Sequence, residues 1–294
     1  MAGPTLLALF ERHYEPRRLL GSSEHTKRQY RIQLRTFKRF LCREPDVDDL
    51  EDDTFCRFLQ WLLSEGRRPA TVNKARAHLL SLWRFLADHN HVGRRPDVPS
   101  IPEPAITPRA WSRDELSQLL EACKNQEGST AGILSWRWWH TLHLVMWDTG
   151  ERVGALRAIE WADLDLNHGW LVVRAETRKG RKQPRTYQIH RETLDGLCRI
   201  TEPQRRLVFP WDRSHTHLWY VYRRIRQKAG LPTTRRDSFH KMRRSVASYG
   251  AEAGLDPTML MGHSSRQVTE RYYLDPTIVK IPQASEHLFR PGKG

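Results

Sequence analysis

The N-terminal third of the chain repeats apolar residues every three or four positions in three successive segments. This spacing places the apolar side chains on one face of a helix, and a helix with one apolar face must pack against others. The sequence therefore predicts a small helical bundle over residues 1–93. The apolar positions are Tyr30, Leu34, Phe37 and Leu41, then Leu50, Phe55, Phe58, Leu59 and Leu62, then Val72, Ala75, Leu79, Leu82 and Leu86.

A proline-rich segment follows at residues 94–109. Proline lacks the backbone N–H that a helix requires, so a run of prolines favours an extended chain. We interpret the segment as a linker between the domain at 1–93 and a second domain at 110–294. A length of 294 residues suits two domains.

Helical patterns dominate the second domain. Ser112 and Glu115 have the spacing of a capping box and predict a helix start. A tryptophan-rich apolar helix is expected over 136–147, with its indoles in the core, and another helix over about 218–229, ending at Gly230.

Two short runs, Trp170-Leu-Val-Val-Arg174 and Thr186-Tyr-Gln-Ile189, predict a β-hairpin. Its tip is basic, with Arg178, Lys179, Arg181 and Lys182. The fold class expected is mainly α: a helical bundle followed by a mixed α+β, mostly helical domain with a small antiparallel sheet.

The sequence Thr149-Gly-Glu-Arg152 separates two apolar helical patterns. Arg152 is therefore expected at a helix start, where its charge adds to free backbone N–H groups. That combination favours binding of an anion.

The charge balance points to a polyanionic partner. Lys and Arg number 49 against 34 Asp and Glu, which gives a net charge of +15 and a pI of about 10.1. The basic residues lie near turns and aromatic residues rather than in one tail, so nucleic-acid binding is favoured over an unrelated basic protein.

Other classes of protein are disfavoured. The four cysteines lack the spacing of a disulfide framework or a zinc site, so no metal site is expected. The sequence contains no apolar run of about 18 residues, and we expect no signal peptide. We expect a cytoplasmic protein that does not enter a membrane.

One stretch near the C-terminus gathers the groups that act on a phosphodiester. His240 precedes Arg243 by three positions, Gly262 and His263 follow, and Tyr272 and Tyr273 are adjacent. Arginine binds phosphate oxygens, histidine transfers protons near neutral pH, and a phenol can attack phosphorus.

The order Arg152, Lys179, His240-x-x-Arg243, Gly262-His263, Tyr272 resembles the active-site series of the tyrosine recombinases, or phage-type integrases. The nucleophile of that family lies nine positions after the second histidine, as Tyr272 does here. The resemblance covers most of the chain. It implies a SAM-like core-binding domain at 1–93 and a catalytic domain at 110–294.

The resemblance also implies the role of each residue. Tyr272 attacks phosphorus and becomes joined to a 3′ phosphate, Arg152 and Arg243 stabilise the charge on the phosphoryl oxygens, and Lys179 protonates the leaving 5′ oxygen. His240 accepts the tyrosine proton and His263 binds a phosphate oxygen. No cofactor is expected, because the arginines supply the positive charge that a metal ion supplies elsewhere.

This chain departs from the family pattern at three points. Ala155 stands where the family usually has an acidic residue, so an acidic partner for the site is expected from elsewhere in the chain. The interval from His240 to His263 is about one helical turn short. Tyr273 follows Tyr272, and both phenols stay open as nucleophiles, although the spacing favours Tyr272.

Basic residues outside this series are candidates for DNA contact. They are Arg67, Arg68, Lys74 and Arg76 around the start of the third helix, and Arg178, Arg181 and Lys182 on the hairpin. The alternative is that the charges on the helix only form its solvated face.

The expected activity is site-specific recombination (integration, excision or resolution), as in the simple two-domain enzymes similar to bacterial chromosome-dimer resolvases. The expected partner is double-stranded DNA with inverted half-sites, bound by a dimer or tetramer in the cytoplasm at the nucleoid. Two alternatives are a non-catalytic DNA-binding protein of the same fold and relaxation of DNA by a type IB topoisomerase.

Overall fold

The structure is a computed structural model that describes residues 4–178, 183–202 and 204–279. The chain folds into two compact units, Met1–Ala105 and Ile106–Gly294. The boundary between them falls within the proline-rich segment 94–109. None of the described helices is long and apolar enough to cross a membrane.

The first unit is helical. Its three long helices match the three apolar patterns, so the predicted helical bundle is confirmed. An N-terminal helical segment that the sequence did not predict adds the buried side chains Leu6, Phe10 and Tyr14. The elements are α1 (Leu6–Leu9), a π-helical turn (Phe10–Tyr14), α2 (Glu15–Arg18), α3 (Glu24–Leu41), α4 (Asp52–Ser64) and α5 (Pro69–Asp88).

The proline-rich segment forms no helix, as predicted, but its first part packs against α5 rather than running free. Val98 is buried there, and the Arg76 Nε donates to its carbonyl at 3.0 Å. Asn73 and Ile101 exchange two hydrogen bonds, at 2.8 and 2.9 Å. Residues up to Ile101 are therefore fixed to the helical unit.

The second unit is mostly helical, as the sequence predicted. Its described residues form two small antiparallel sheets, β1–β2 and β3–β4–β5, whereas the sequence predicted one. The elements before the long hairpin are α6 (Arg113–Lys124), β1 (Ser129–Thr130), β2 (Ile133–Leu134), α7 (Ser135–Thr149), α8 (Val153–Leu156) and β3 (Leu164–Asp165). Then come β4 (Trp170–Val173), β5 (Arg185–Gln188), α9 (Arg191–Cys198), α10 (His215–Lys228), α11 (Phe239–Glu252), α12 (Pro257–Met261) and α13 (Arg266–Tyr273).

The predicted β-hairpin is formed by β4 and β5, with Leu171 opposite Tyr187 and Val173 opposite Arg185. Leu171, Val173 and Tyr187 are buried, because alternate residues of a strand point to the same face. The sequence missed β3, which adds a third strand beside β4.

The core of the second unit surrounds α7. Trp138 and Trp139 are buried there, as predicted. Trp147 is 38% exposed, so the prediction of a core position is wrong for that indole, which lies on the solvent side of the helix. The rings of Tyr222 and Phe239 stack in the same core with centroids 4.0 Å apart. This core fixes α7, which ends just before the turn of Arg152, and α11, which carries Arg243.

Candidate functional site

Arg152 lies at the turn between α7 and α8. Gly150 ends α7 with a φ of +61°, and a Cβ there would meet Val246 Cγ1 at 3.1 Å, so the turn requires glycine. Arg152 is the N-cap of α8, as predicted, but α8 has only four residues. Its guanidinium is partly exposed and donates no hydrogen bond within residues 4–178, 183–202 and 204–279.

Arg243 on α11 is almost completely buried, with 2% of its surface exposed. Its Nη1 donates to the carbonyl of Gly150 and its Nη2 to the carbonyl of Met261 at 2.6 Å. Burial and the nearby charge of Arg152 lower the pKa of Arg243. The guanidinium therefore joins α11 to the Arg152 turn and to the end of α12.

His263 follows α12 and completes this cluster. Its Nε2 lies 3.3 Å from Arg243 Nη2, and its Nδ1 lies 2.9 Å from Thr269 Oγ1. Burial, followed by the charges of Arg243 and Arg152, lowers the pKa of His263 to about 4. The ring is therefore neutral near pH 7. Since the Thr269 hydroxyl donates to the Ser265 carbonyl, Nδ1 carries the proton and Nε2 faces the arginine as an acceptor.

His240 lies at the start of α11 and is exposed. Residues three apart share a helix face, so His240 and Arg243 lie on the same side of α11. This places the histidine near the solvent-facing edge of the cluster.

The two tyrosines of α13 differ in their surroundings. Tyr272 is 54% exposed, and its ring contacts the Arg271 guanidinium, with Cζ 5.4 Å from the centroid. The Tyr273 ring lies against His263 and within 5.7 Å of Arg243 Cζ. Without DNA, Tyr273 rather than Tyr272 contacts the arginine–histidine cluster. Both phenols therefore remain candidates.

The hairpin tip with Lys179, Arg181 and Lys182 lies outside the described residues. Arg178 has internal partners: its Nε donates to Glu151 Oε1 at 2.7 Å and its Nη1 to the Gln183 carbonyl at 3.0 Å. Any contact of Arg178 with DNA would have to use its remaining donors.

Sequence reasoning missed two residues that hold the cluster together. Arg185 on β5 donates to the carbonyls of Met259 and Leu260, each at 2.8 Å, and so fixes the end of α12. Glu151 is 1% exposed and accepts from the Tyr187 hydroxyl at 2.8 Å. The only sequence signal for Glu151 was its place beside Arg152 between two apolar helices.

In the first unit, Arg67 and Arg68 are exposed immediately before α5, and Lys74 is exposed within it. The Lys74 Nζ donates to Gln29 Oε1 at 2.7 Å. Arg76 differs, because its guanidinium binds the Val98 carbonyl and fixes the proline-rich segment.

The cluster formed by Arg152, Arg243 and His263 combines two positive charges with a neutral imidazole. Such a group stabilises a phosphoryl centre whose oxygens gain negative charge during substitution. In the described part of the chain, no three His, Cys, Asp or Glu side chains are grouped to hold a metal ion.

Comparison with known proteins agrees with this geometry. Residues 110–277 match the phage integrase family, and residues 9–90 match the phage integrase N-terminal SAM-like domain. The chain is 28% identical over 283 residues to the tyrosine recombinase XerA of Thermococcus kodakarensis, covering 91% of this chain and 90% of that protein. It is 26% identical over 289 residues to XerC of Chlorobaculum parvum, covering 85% and 84%.

Solved structures share the fold. A lambda integrase (75–356) dimer bound to a COC′ core site has a TM-score of 0.71 at 20% identity, covering 92% of this chain and 96% of that one. The Tn1549 transposon integrase in complex with a circular intermediate DNA has a TM-score of 0.72 at 14% identity, covering 92% and 95%. With a family match over more than half of its 294 residues, the chain belongs to the phage integrase family, the tyrosine recombinases.

Proposed function

We propose that this chain is a site-specific DNA recombinase that cuts and rejoins DNA through a 3′-phosphotyrosyl intermediate. The observation that carries the proposal is the buried Arg243 guanidinium, which joins Gly150, Met261 and His263 in one cationic site. Glu151 is the one carboxylate near Arg243 among the described ion pairs, and it also pairs with Arg178, so the arginines leave an excess of positive charge that favours an anionic substrate.

Cleavage uses the residues in the following roles. The Tyr272 oxygen attacks phosphorus while His240 accepts its proton, and the bond to the 5′ oxygen breaks. Lys179 protonates that oxygen, which leaves as a hydroxyl. Arg152 and Arg243 stabilise the non-bridging oxygens, an effect worth several kcal/mol. His263 binds a phosphate oxygen through Nε2, and donation from that nitrogen requires a proton that it lacks in the DNA-free protein.

Rejoining is the reverse reaction. A 5′ hydroxyl attacks the phosphotyrosine, so the energy of the broken ester is kept and no ATP is consumed. When the attacking hydroxyl belongs to a partner duplex, strands are exchanged and the result is integration, excision or resolution.

The partner we propose is double-stranded DNA with inverted half-sites, bound by a dimer or tetramer. Related folds support this, since lambda integrase structures include a dimer on a core site and a tetramer on a Holliday junction. Arg67, Arg68 and Lys74 would contact the DNA backbone from the first unit, with Arg181 and Lys182 acting from the hairpin. The cytoplasm, at the nucleoid, is the proposed location.

The test is covalent capture of 3′-labelled and 5′-labelled duplex in the presence of EDTA. We expect a protein–DNA adduct on the 3′ phosphate and a released 5′ hydroxyl. Cleavage without an adduct, or cleavage restored only by Mg²⁺, would overturn the proposal. Binding without any cleavage would favour a non-catalytic DNA-binding protein. Relaxation of supercoiled DNA irrespective of sequence would favour the topoisomerase alternative.

A further inference from the structure

Glu151 presents a carboxylate that is almost fully buried next to the phosphate-binding arginines. Its Oε1 accepts hydrogen bonds from Arg178 Nε at 2.7 Å and from the Tyr187 hydroxyl at 2.8 Å. Its Oε2 lies 3.9 Å from Arg243 Nη1 and has no hydrogen-bond partner among the described residues. One acceptor atom therefore serves the hairpin while the other faces Arg243.

The carboxylate is ionised despite its burial. Burial by itself raises the pKa of Glu151, but the Tyr187 hydrogen bond and the charges of Arg243 and Arg178 outweigh it and bring the pKa below its ordinary value. An ionised carboxylate in the interior is costly unless it is paired, so its partners are held firmly.

Arg178 extends this arrangement in two directions. Its Nη1 donates to the carbonyl of Gln183, the first described residue after the hairpin tip. Its Nη2 approaches Gly262 so closely that a Cβ there would lie 2.7 Å away. Through Arg178, Glu151 is therefore connected to the base of the hairpin tip and to the turn that carries His263.

Ala155 is the position at which the family usually has an acidic residue. Here it is a buried methyl group on α8, with 3% exposure, and it can accept no hydrogen bond. Glu151 lies four positions earlier in the same turn-and-helix segment and supplies a carboxylate.

We propose that Glu151 is a positioning residue for DNA cleavage: its carboxylate holds the Arg243 guanidinium and the Arg178 end of the hairpin in one arrangement, in place of the missing acid at Ala155. This inference rests on the proposed function. Arg243 stabilises the phosphoryl charge and the hairpin carries Lys179, so loss of the carboxylate disturbs both charge stabilisation and protonation of the leaving oxygen.

The experiment compares two variants, Glu151→Gln and Tyr187→Phe. Tyr187→Phe removes a hydrogen bond to Glu151 Oε1 but keeps the negative charge of the Glu151 carboxylate. Adduct formation is measured on an ordinary nicked duplex and on one with a 5′-bridging sulfur, which leaves without protonation. We expect Glu151→Gln to slow capture of the ordinary duplex about 100-fold, because misplaced catalytic groups cost rates of that size. Capture of the sulfur duplex should be slowed clearly less, because its leaving group needs no proton. Tyr187→Phe should slow both substrates by equal factors, and by less than Glu151→Gln slows the ordinary duplex. It removes one hydrogen bond to a charged acceptor, but the carboxylate keeps its charge and its hydrogen bond from Arg178.

Half-site binding and the melting temperature show whether Glu151→Gln is folded. A folded Glu151→Gln protein that captures both substrates at nearly the wild-type rate would overturn the inference. If Glu151→Gln slowed capture of both substrates by the same factor, protonation of the leaving oxygen would not depend on Glu151. That result would overturn the inference that Glu151 positions Arg243 and the Arg178 end of the hairpin together.

A second measurement does not depend on catalysis. In ¹⁵N-arginine NMR spectra, the Arg178 Nε–H signal, assigned by its loss in Arg178→Lys, should be protected from exchange in the wild type and in Tyr187→Phe but not in Glu151→Gln. Unchanged protection in Glu151→Gln overturns the inference. Wild-type protein that captures neither substrate overturns the proposed function instead, whatever the NMR result.

Discussion

Tyr273, not Tyr272, packs against His263, with ring centroids 4.3 Å apart and an angle of 54° between the planes. Tyr272 is one residue earlier on α13 and more than half exposed. Adjacent helical residues point about 100° apart, so the two phenols cannot occupy the same place without movement of α13. If Tyr272 is the nucleophile, we expect its phenol to approach the phosphate from a different side of α13 than the one Tyr273 presents to His263.

Tyr272→Phe is expected to abolish covalent capture of a nicked site and to leave DNA binding nearly intact, because only the phenolic oxygen is lost. Tyr273→Phe keeps the ring against His263 and should retain capture. Denaturing gels of both variants decide between them. Adducts that survive Tyr272→Phe and vanish with Tyr273→Phe would reverse the assignment of the nucleophile.

The two arginines should respond differently to replacement by lysine. Either alanine variant should lose more than about 100-fold in cleavage rate, as for loss of an oxyanion-stabilising donor. Arg243→Lys should restore little, because an ammonium cannot reach the Gly150 and Met261 carbonyls together. Arg152→Lys should restore more.

Single-turnover cleavage rates test this contrast, and Arg191→Ala, at an exposed position on α9, is the control. Equal rates for the two lysine variants would show that the carbonyl contacts of Arg243 do not matter for its function.

Gly262→Ala is expected to impair cleavage more than stability alone explains. Its φ of +60° is in the left-handed region, which disfavours alanine by roughly 1–2 kcal/mol, and the new Cβ would also lie 2.7 Å from Arg178 Nη2. Gly254 also has a positive φ, +84°, but a Cβ added there would meet no atom within 4 Å. Alanine at this position therefore has the backbone cost without a steric clash. Gly254→Ala should therefore lower the melting temperature but keep cleavage. Similar cleavage rates for both variants would contradict the prediction.

Stability should fall in mild acid. Burial lowers the pKa of His143 from an ordinary value of 6.5 to about 4, so the unfolded chain binds more protons than the folded one between these values. The free energy of unfolding is then highest above pH 6.5 and decreases by roughly 3 kcal/mol as the pH falls to 4.

Denaturant unfolding of His143→Gln against pH measures this contribution, since the amide can still donate to the Trp139 carbonyl but does not titrate. Between pH 4 and 6.5, the free energy of unfolding should change less steeply with pH in His143→Gln than in the wild type. The His263 contribution, which has the same sign, should remain. If the free energies of unfolding of the two proteins depended equally on pH, His143 would not be the source of the pH dependence.

Replacing Arg67 and Arg68 together with alanine should weaken DNA binding at all sequences and reduce the salt dependence of the binding constant. Each lost phosphate contact should reduce the magnitude of the slope of log binding constant against log salt concentration by about 1. Lys38→Ala is the control, because that lysine is exposed but paired with Glu44. Binding measured at several salt concentrations tests this, and an unchanged slope would remove these two arginines from the interface.

Much of the fold could be predicted because its signals are local. Apolar spacing predicted the long helices of both units, and Ser112 and Glu115 form the expected capping box. Two short strand-like runs around Leu171 and Tyr187 predicted the hairpin. The N-terminal helical segment and β3 were missed because a short element carries too few residues to show a period.

The sequence by itself determined the family and the order of the chemical groups, because a nine-residue interval and a Gly-His pair are local patterns. Only the tertiary structure decided what those groups touch. Arg243 is held by carbonyls that are 93 and 18 residues away, and Glu151 by a hydroxyl 36 residues away. Such contacts depend on how helices and strands pack, and the periodicity of a sequence does not show which distant residues come into contact. The same reason separates Tyr272 from Tyr273: spacing distinguishes them along the chain, but the packing of α13 determines which ring contacts His263.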